Sequence, residues 1–284
     1  MRRMTRWARR SLPPAIVTGA RGVVHQWGTL TRGFRMSPSF IVVGGQRCGT
    51  TTLYRLLSEH PQVIRPTQVK GTGYFDENYS KGPDWYRGHF PIQRDTKVTF
   101  EVSGFYSMHP LAPSRIAKDL PQVRLVMMIR DPVQRAYSAW KHESARGFED
   151  QPFPVALDLE AKRLEGEVER ILADPSYRSF ALRHHAYVGR GRYADHILRF
   201  HEAVGPDRLY VMDADRFFEN PVEEYARLCE WLGLEPHRPA RVDRWNAREG
   251  APLDPEIEER LRAEFAEADE RLVELLGWKP SWVG

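Results

Sequence analysis

The chain has 284 residues, 41% of them hydrophobic and 28% charged, which is an ordinary soluble globular composition with room for one large domain. No apolar run approaches the length that spans a bilayer. The two cysteines, Cys48 and Cys229, lie far apart, which argues against a disulfide framework or a cysteine zinc site and fits a reducing cytosol.

The net charge of +4 is unevenly spread. Residues 1–36 hold eight arginines and no acidic residue, so the rest of the chain carries −4. The basic charge belongs to an N-terminal arm, residues 1–37, and not to the body at 38–284. Two readings of the arm stand: a flexible tail, or a segment lying on an anionic membrane face through its arginines with Trp7, Ile16, Val17 and Trp27. Pro13 and Pro14 interrupt its short apolar stretch and argue against a secretory signal. Nucleic acid is not expected as a partner, because the basic charge stops at the body.

In chain order, FIVVGG (40–45) reads as a buried strand running into glycines. TTTLYRLLSEHP follows as a helix with Leu53, Leu56 and Leu57 inward, ended by Pro61. Residues 61–100 are mixed and aromatic-rich. KVTFEV (97–102) alternates as a strand, and RLVMMI (124–129) is a continuous apolar run, as in a strand covered on both faces. DPVQRAYSAWKHESA is then a helix with Asp131 as N-cap, Pro132 in the first turn, and Val133, Ala136, Tyr137 and Trp140 as its stripe. Residues 150–190 read as a helical, charged cap. DRLYVMDAD (207–215) supplies a further strand and PVEEYARLCEWLGL a further helix. The last helix starts at Asp254-Pro255, with Ile257, Leu261, Phe265, Leu272 and Leu275 on one face. Strands alternating with helices indicate an α/β fold, a mainly parallel central sheet flanked by helices in three layers.

The stretch GGQRCGTTT (44–52) is close to the phosphate-loop pattern G-x-x-x-x-G-K-[ST], but Thr50 stands in the lysine's place. Backbone N–H groups of such a loop and the helix N-terminus behind it attract an anion. Thr50, Thr51 and Thr52 add hydroxyls, and Arg47 adds a guanidinium inside the loop. Without the lysine, a simple ATP-dependent kinase is disfavoured. RDPVQRAYS (130–138) places Arg130 at the carboxyl end of an apolar strand, the edge where open parallel sheets bind ligands, with Ser138 two helical turns on. No group of residues has metal-ligand spacing; the adjacent His184 and His185 point to different helix faces.

FIVVGGQRCGTTTLYRLLSEHP together with RLVMMIRDPVQRAYSAWKH resembles the paired signature of sulfotransferases that use 3′-phosphoadenosine 5′-phosphosulfate (PAPS), of the bacterial and heparan-sulfate type. The likeness extends through YFDENYSKGPDWYRGHFP, DRLYVMDADRFFENPVEEYARLCEWLGL and LLGWKPSW. The resemblance implies a P-loop-like fold and transfer of a sulfuryl group from PAPS, leaving PAP, to a hydroxyl or amine of a glycan, lipid or small molecule. It implies that Gly45, Gln46, Arg47, Cys48, Gly49, Thr50, Thr51 and Thr52 hold the 5′ end of the donor. Arg130 and Ser138 would hold its 3′-phosphate, with Arg244 or Arg248 of the loop RVDRWNAREG, which closes over the nucleotide, as a further phosphate contact. No metal is implied, since the sulfuryl group carries less charge than a phosphoryl group. Arg47 stands where such relatives carry a lysine beside the leaving group; it keeps the charge but is a poor proton donor. A cytoplasmic enzyme, peripheral at the inner membrane face if the arm binds there, is the expected setting.

One departure stands out. Relatives read Lys-Glu-x-His/Gln-aromatic-Phe where this chain reads KGTGYFD, so Lys70, Tyr74, Phe75 and Asp76 match while Gly71 replaces the glutamate that takes the acceptor's proton. Such a base is worth about 100- to 10,000-fold. Asp76, Glu101, His109 and His142 are the candidate replacements, and Arg47 is the candidate for leaving-group stabilisation. Lys70, Tyr74 and Phe75 are candidate substrate contacts, with Trp85 and Tyr86 as further stacking surfaces. Gly71 and Gly73 are expected to leave space for a bulky acceptor. The alternatives are a non-catalytic PAP-binding protein of the same fold and an ATP-dependent P-loop kinase.

Overall fold

The computed structural model describes residues 27–67, 69–239, 242 and 251–284. Its centre is a parallel sheet of five strands: β1 (Phe40–Gly44), β2 (Val63–Ile64), β3 (Val98–Val102), β4 (Arg124–Ile129) and β5 (Leu209–Asp213), in the spatial order β2-β3-β1-β4-β5. Val42 sits opposite Val102 on one side and Val126 on the other, and β4 runs level with β5 from Leu125 opposite Leu209 to Ile129 opposite Asp213. The β1–β4 register shifts between Val42 and Gly44, where the strand leaves the sheet. The sequence expectation of an α/β fold with a buried parallel sheet is met.

Period-two alternation sends successive strand residues to opposite layers. Phe40, Val42, Phe100, Val126 and Met128 pack with Leu53, Leu56 and Leu57 of α1 (Thr50–Glu59). Ile41, Val43, Leu125, Met127 and Ile129 pack on the other face, against an aromatic group of Tyr74, Phe75, Tyr86, Phe90 and Tyr106. Tyr86 belongs to α2 (Gly82–Arg87). Ile116 of α3 (Ala112–Asp119) joins the same layer. The helix after β4, α4 (Pro132–Ser144), begins as expected: Asp131 accepts hydrogen bonds from the backbone N–H groups of Val133 and Gln134.

The cap consists of α5 (Phe153–Leu164), α6 (Glu167–Ala173) and α7 (Phe180–His184). Two buried carboxylates fasten it. Glu160 accepts from the backbone N–H groups of Tyr187, Val188 and Gly189 at 2.9, 2.8 and 2.8 Å. Glu149 accepts from both Nη atoms of Arg163, at 2.7 and 3.2 Å, and from the Tyr187 hydroxyl at 2.8 Å.

After the cap comes α8 (Tyr193–Val204), not foreseen from the sequence, with Ile197 and Phe200 in the core. It is followed by α9 (Ala214–Glu219), α10 (Pro221–Leu232) and α11 (Pro255–Leu276). Leu261, Phe265 and Leu272 of α11 are buried, as its periodicity predicts. The C-terminal segment is tied to the sheet by Ser281, whose backbone N–H and hydroxyl donate to Asp213 at 2.7 and 3.1 Å.

Part of the expected arm belongs to this body. Arg35 and Met36 are buried, the Arg35 guanidinium donates to Phe90 O at 2.5 Å, and the Met36 N–H donates to Pro91 O at 2.9 Å. Arg32 pairs with Asp84 at 2.7 Å. Residues 1–26, with the other six arginines assigned to the membrane, lie outside the described residues. Among the described residues no helix is long and apolar enough to cross a membrane.

Candidate active site

The loop between β1 and α1 lies at the carboxyl edge of the central strand. Its glycines answer first to close packing. A Cβ on Gly44 would meet Ser107 Oγ at 2.4 Å, and one on Gly45 would meet Met128 O at 3.0 Å. Gly49 is left-handed at φ 83°, the N-cap of α1 with no side-chain cap bond. Arg47 is also left-handed, at φ 68°, a conformation uncommon outside glycine. The loop is thus folded tightly enough for backbone N–H groups at the α1 N-terminus to face an anion.

The cation missing at position 50 is supplied from elsewhere in the chain. Lys70 Nζ donates to Thr50 Oγ1 at 3.2 Å and to Thr51 Oγ1 at 3.3 Å. Burial lowers its pKa to about 8. Lys70, expected as a substrate contact, therefore stands at the phosphate loop.

The second motif meets the first. Arg47 Nε donates to Ser138 Oγ at 3.0 Å, although the two are 91 residues apart. Arg130 is held at its backbone by Tyr193, whose hydroxyl donates to Arg130 O at 2.8 Å, and its Nε lies 3.8 Å from Asp215 Oδ1. Lys141, one turn beyond Ser138, joins this cluster; burial and then the charges of Arg130 and Arg47 lower its pKa. Arg47 touches the Ser138 hydroxyl, and the charges of Arg130 and Arg47 are both felt at Lys141, so an anionic ligand among them would relieve the repulsion. Lys141 was not expected from the sequence. Its signal was there, as a lysine at i+3 from Ser138 on the same helix.

The candidate bases fare differently. Glu101 is fully buried, and its carboxylate accepts from Thr72 N at 2.5 Å, Thr72 Oγ1 at 2.6 Å, Tyr86 OH at 2.7 Å and Tyr106 OH at 3.0 Å. Burial raises its pKa against those bonds, and its lone pairs are spent on structure. Asp76 is buried as well; it accepts from Glu77 N at 2.5 Å and lies 3.5 Å from Arg183 Nη2. Its pKa is raised by burial and opposed by Arg183. His109 is buried, and burial with Arg115, Arg183 and Arg199 lowers its pKa to about 3, leaving a weak base. His142 lies in the last turn of α4, beside Glu143.

Two expectations for the acceptor are corrected. Tyr74, Phe75 and Tyr86 are core residues, 1%, 0% and 4% exposed, with no free ring face for a sugar. The glycines of KGTGYFD leave no room either. A Cβ on Gly71 would lie 2.3 Å from the carbonyl oxygen of Val102, and one on Gly73 would lie 2.9 Å from Asp76 Oδ1. The same packing explains why no glutamate stands at 71: the chain runs too close to β3 to carry a side chain there. Arg244 and Arg248 lie outside the described residues.

A pocket of about 300 Å³ opens beside the loop. It is lined by Gln46 of the loop, Ser103 and Gly104 after β3, Glu143 of α4, and Arg183 and His184 of the cap, among others. Glu143 is 1% exposed and is the hub of this wall. It accepts from Gln46 Nε2 at 3.0 Å, from Arg146 Nη1 at 3.3 Å and from His184 Nδ1 at 2.8 Å. Burial alone would raise its pKa, but His184, Arg146 and His142 hold it below the usual carboxylate range. The sequence reading missed this pair. Glu143 nevertheless extends the buried stripe Val133, Ala136, Ala139 at helical spacing, and a carboxylate on a core face demands a partner. Among the described residues no group of three or more histidine, cysteine or acidic side chains is placed to hold a metal ion.

Comparison with known proteins agrees with this geometry. Residues 37–247 match the sulfotransferase domain family. The chain is 33% identical over 204 residues to the bifunctional heparan sulfate N-deacetylase/N-sulfotransferase 1 of Caenorhabditis elegans, covering 69% of this chain and 22% of that protein. It is 32% identical over 209 residues to the human N-deacetylase/N-sulfotransferase 3, covering 70% and 23%. The chain thus spans less than a quarter of the length of these relatives. Among solved structures, a sulfotransferase from Alicyclobacillus acidocaldarius superposes with a TM-score of 0.70 at 27% identity, covering 86% of this chain and 98% of that one.

Proposed function

The chain belongs to the sulfotransferase family, and from that premise we propose that it transfers a sulfuryl group from PAPS to a hydroxyl or amine of a saccharide acceptor. The observation that carries this reading is the pair of cationic stations at one sheet edge: Lys70 on the phosphate loop, and Arg47, Arg130 and Lys141 around Ser138. A nucleotide with anionic groups at both its 5′ and 3′ positions matches two stations, whereas the sugar of ATP has no second phosphate. The loop from Gly45 to Thr52, with Lys70, would hold the 5′ end; Arg130, Ser138 and Lys141 would hold the 3′-phosphate. PAPS supplies the sulfuryl group, and the protein supplies position and fixed charge. Arg47, on the phosphate loop and bonded to Ser138, would offer charge to the leaving oxygen and not a proton. The saccharide acceptor is supported by what the heparan sulfate relatives are named for. A cytoplasmic setting, and contact of the basic arm with an anionic membrane, belong to the same proposal.

Calorimetric titration with PAP beside ATP and magnesium tests it. Tight PAP binding not matched by ATP is expected. Arg130→Ala should weaken PAP by about 1.5–3 kcal/mol, roughly 10- to 150-fold in Kd, the worth of a hydrogen bond to a charged group. A well-folded protein that binds ATP as well as PAP, or whose PAP affinity ignores Arg130→Ala, sinks the donor site.

A further inference from the structure

We propose that His184, oriented by Glu143, is the general base that takes the acceptor's proton, the role Gly71 leaves vacant. The inference rests on the sulfotransferase reading above. His184 Nδ1 lies 2.8 Å from Glu143 Oε2, and an ionised carboxylate can only accept, so Nδ1 carries the proton and Nε2 the lone pair. The imidazole is fixed by that bond and by the rings of Phe148 and Phe180, at 4.4 and 4.5 Å between centroids. It lines the pocket together with Gln46 of the donor loop, and Gln46 donates to the other oxygen of the same carboxylate. One carboxylate therefore ties the loop and the imidazole into a single hydrogen-bonded unit.

The other acidic groups of the pocket and its wall are committed elsewhere. Glu77 pairs with Arg183 at 2.8 Å, Glu143 is bonded to three donors, and Glu101 and Asp76 are buried with partners of their own. The charged and titratable groups around His184 are Glu143, His142 and Arg146 from α4 and the turn after it, Arg183 and His185 on its own segment, Arg190, which donates to the carbonyls of Leu182 and Arg183, and Glu77, paired with Arg183.

In the step, Nε2 accepts the proton of the acceptor O–H or N–H as that oxygen or nitrogen bonds to sulfur. The bond from sulfur to the 5′-phosphate oxygen breaks, its electron pair leaves on PAP, and the imidazolium then gives its proton to solvent.

The test compares His184→Gln, Glu143→Gln and, as a control, His142→Gln. Each is assayed for transfer from labelled PAPS to para-nitrophenol, which ionises near neutrality and needs no base, to methyl glucosaminide, which needs one, and to water. His184→Gln should lower kcat with methyl glucosaminide and water by about 100-fold or more and remove the low-pH limb of the rate profile. Transfer to para-nitrophenol should be retained. Nitrogen NMR should show the His184 proton on Nδ1, a preference that Glu143→Gln abolishes, and this readout does not depend on turnover. An equal loss with all acceptors, no loss with any, a larger selective loss in His142→Gln, or a proton on Nε2 overturns the assignment. PAP calorimetry on the same samples separates the two claims, because missing PAP binding in the unsubstituted protein overturns the donor reading instead.

Discussion

The two sides of the cleft are assembled differently. The donor side comes mainly from two short runs of chain, 44–52 and 130–141, each leaving the carboxyl end of a central strand and entering a helix. Backbone N–H groups and a few side chains at fixed offsets do its work. The pocket side gathers Gln46, Ser103, Gly104, Glu143 and His184 from segments far apart in sequence, and its geometry depends on where the cap packs. The first kind of site is held by the sheet itself. The second also needs the cap, so loosening the cap should weaken the pocket before it weakens the donor side.

The sharpest way to break that contrast is through Glu160. Glu160→Ala strands three backbone N–H groups under the cap. It should cost about 3 kcal/mol, lowering Tm by roughly 6–12 °C. PAP affinity should stay unchanged while hydrogen exchange rises across α5–α7. A parallel loss of PAP binding would show that cap and donor side are one cooperative unit.

A smaller effect is expected from restoring the glutamate of relatives. Gly71→Glu drives a Cβ against Val102 O, and such overpacking costs about 1–3 kcal/mol. Thermal unfolding should show the loss, with no gain in turnover. A stable, faster Gly71→Glu variant would mean that the site is merely missing a base and has not moved it to the cap.

The smallest effect belongs to Lys70, on the donor side. Burial lowers its pKa to about 8, so the free protein loses this ammonium as pH rises through that value. An anionic ligand favours the protonated form, so PAP affinity should fall above about pH 8, by at most about tenfold per pH unit for one proton. Lys70→Met should bind more weakly at neutral pH and lose that slope. Calorimetry at two pH values, in buffers differing in ionisation enthalpy, reads the proton directly.

Legibility in the sequence followed the same division. Strands β1, β3, β4 and β5 and helices α1, α4, α10 and α11 stood out because apolar runs, N-caps and prolines are local signals. The helix α8 passed unseen although Ile197 and Phe200 fill the core and Gly205-Pro206 mark its end, since no capping side chain marks its start at Arg192. Tyr74 and Phe75 matched a motif and so drew a substrate role, yet the motif gave no sign that Tyr86 of α2 and Tyr106 would pack against them. The residues around Gly71 were read as space because a glycine looks the same in sequence whether its missing side chain leaves a hole or makes way for a backbone.

By itself the sequence determined the parallel sheet, the phosphate-binding turn and the arginine and serine after β4, because each is a short-range pattern whose geometry the backbone dictates. Only the tertiary structure decided that Lys70 reaches Thr50 and Thr51, that Arg47 meets Ser138, that Gly71 is closed by Val102, and that Glu143 holds His184 at the pocket. Those contacts join residues 19 to 91 positions apart. What brings them together is the packing of helices and cap on the sheet, which no local spacing encodes.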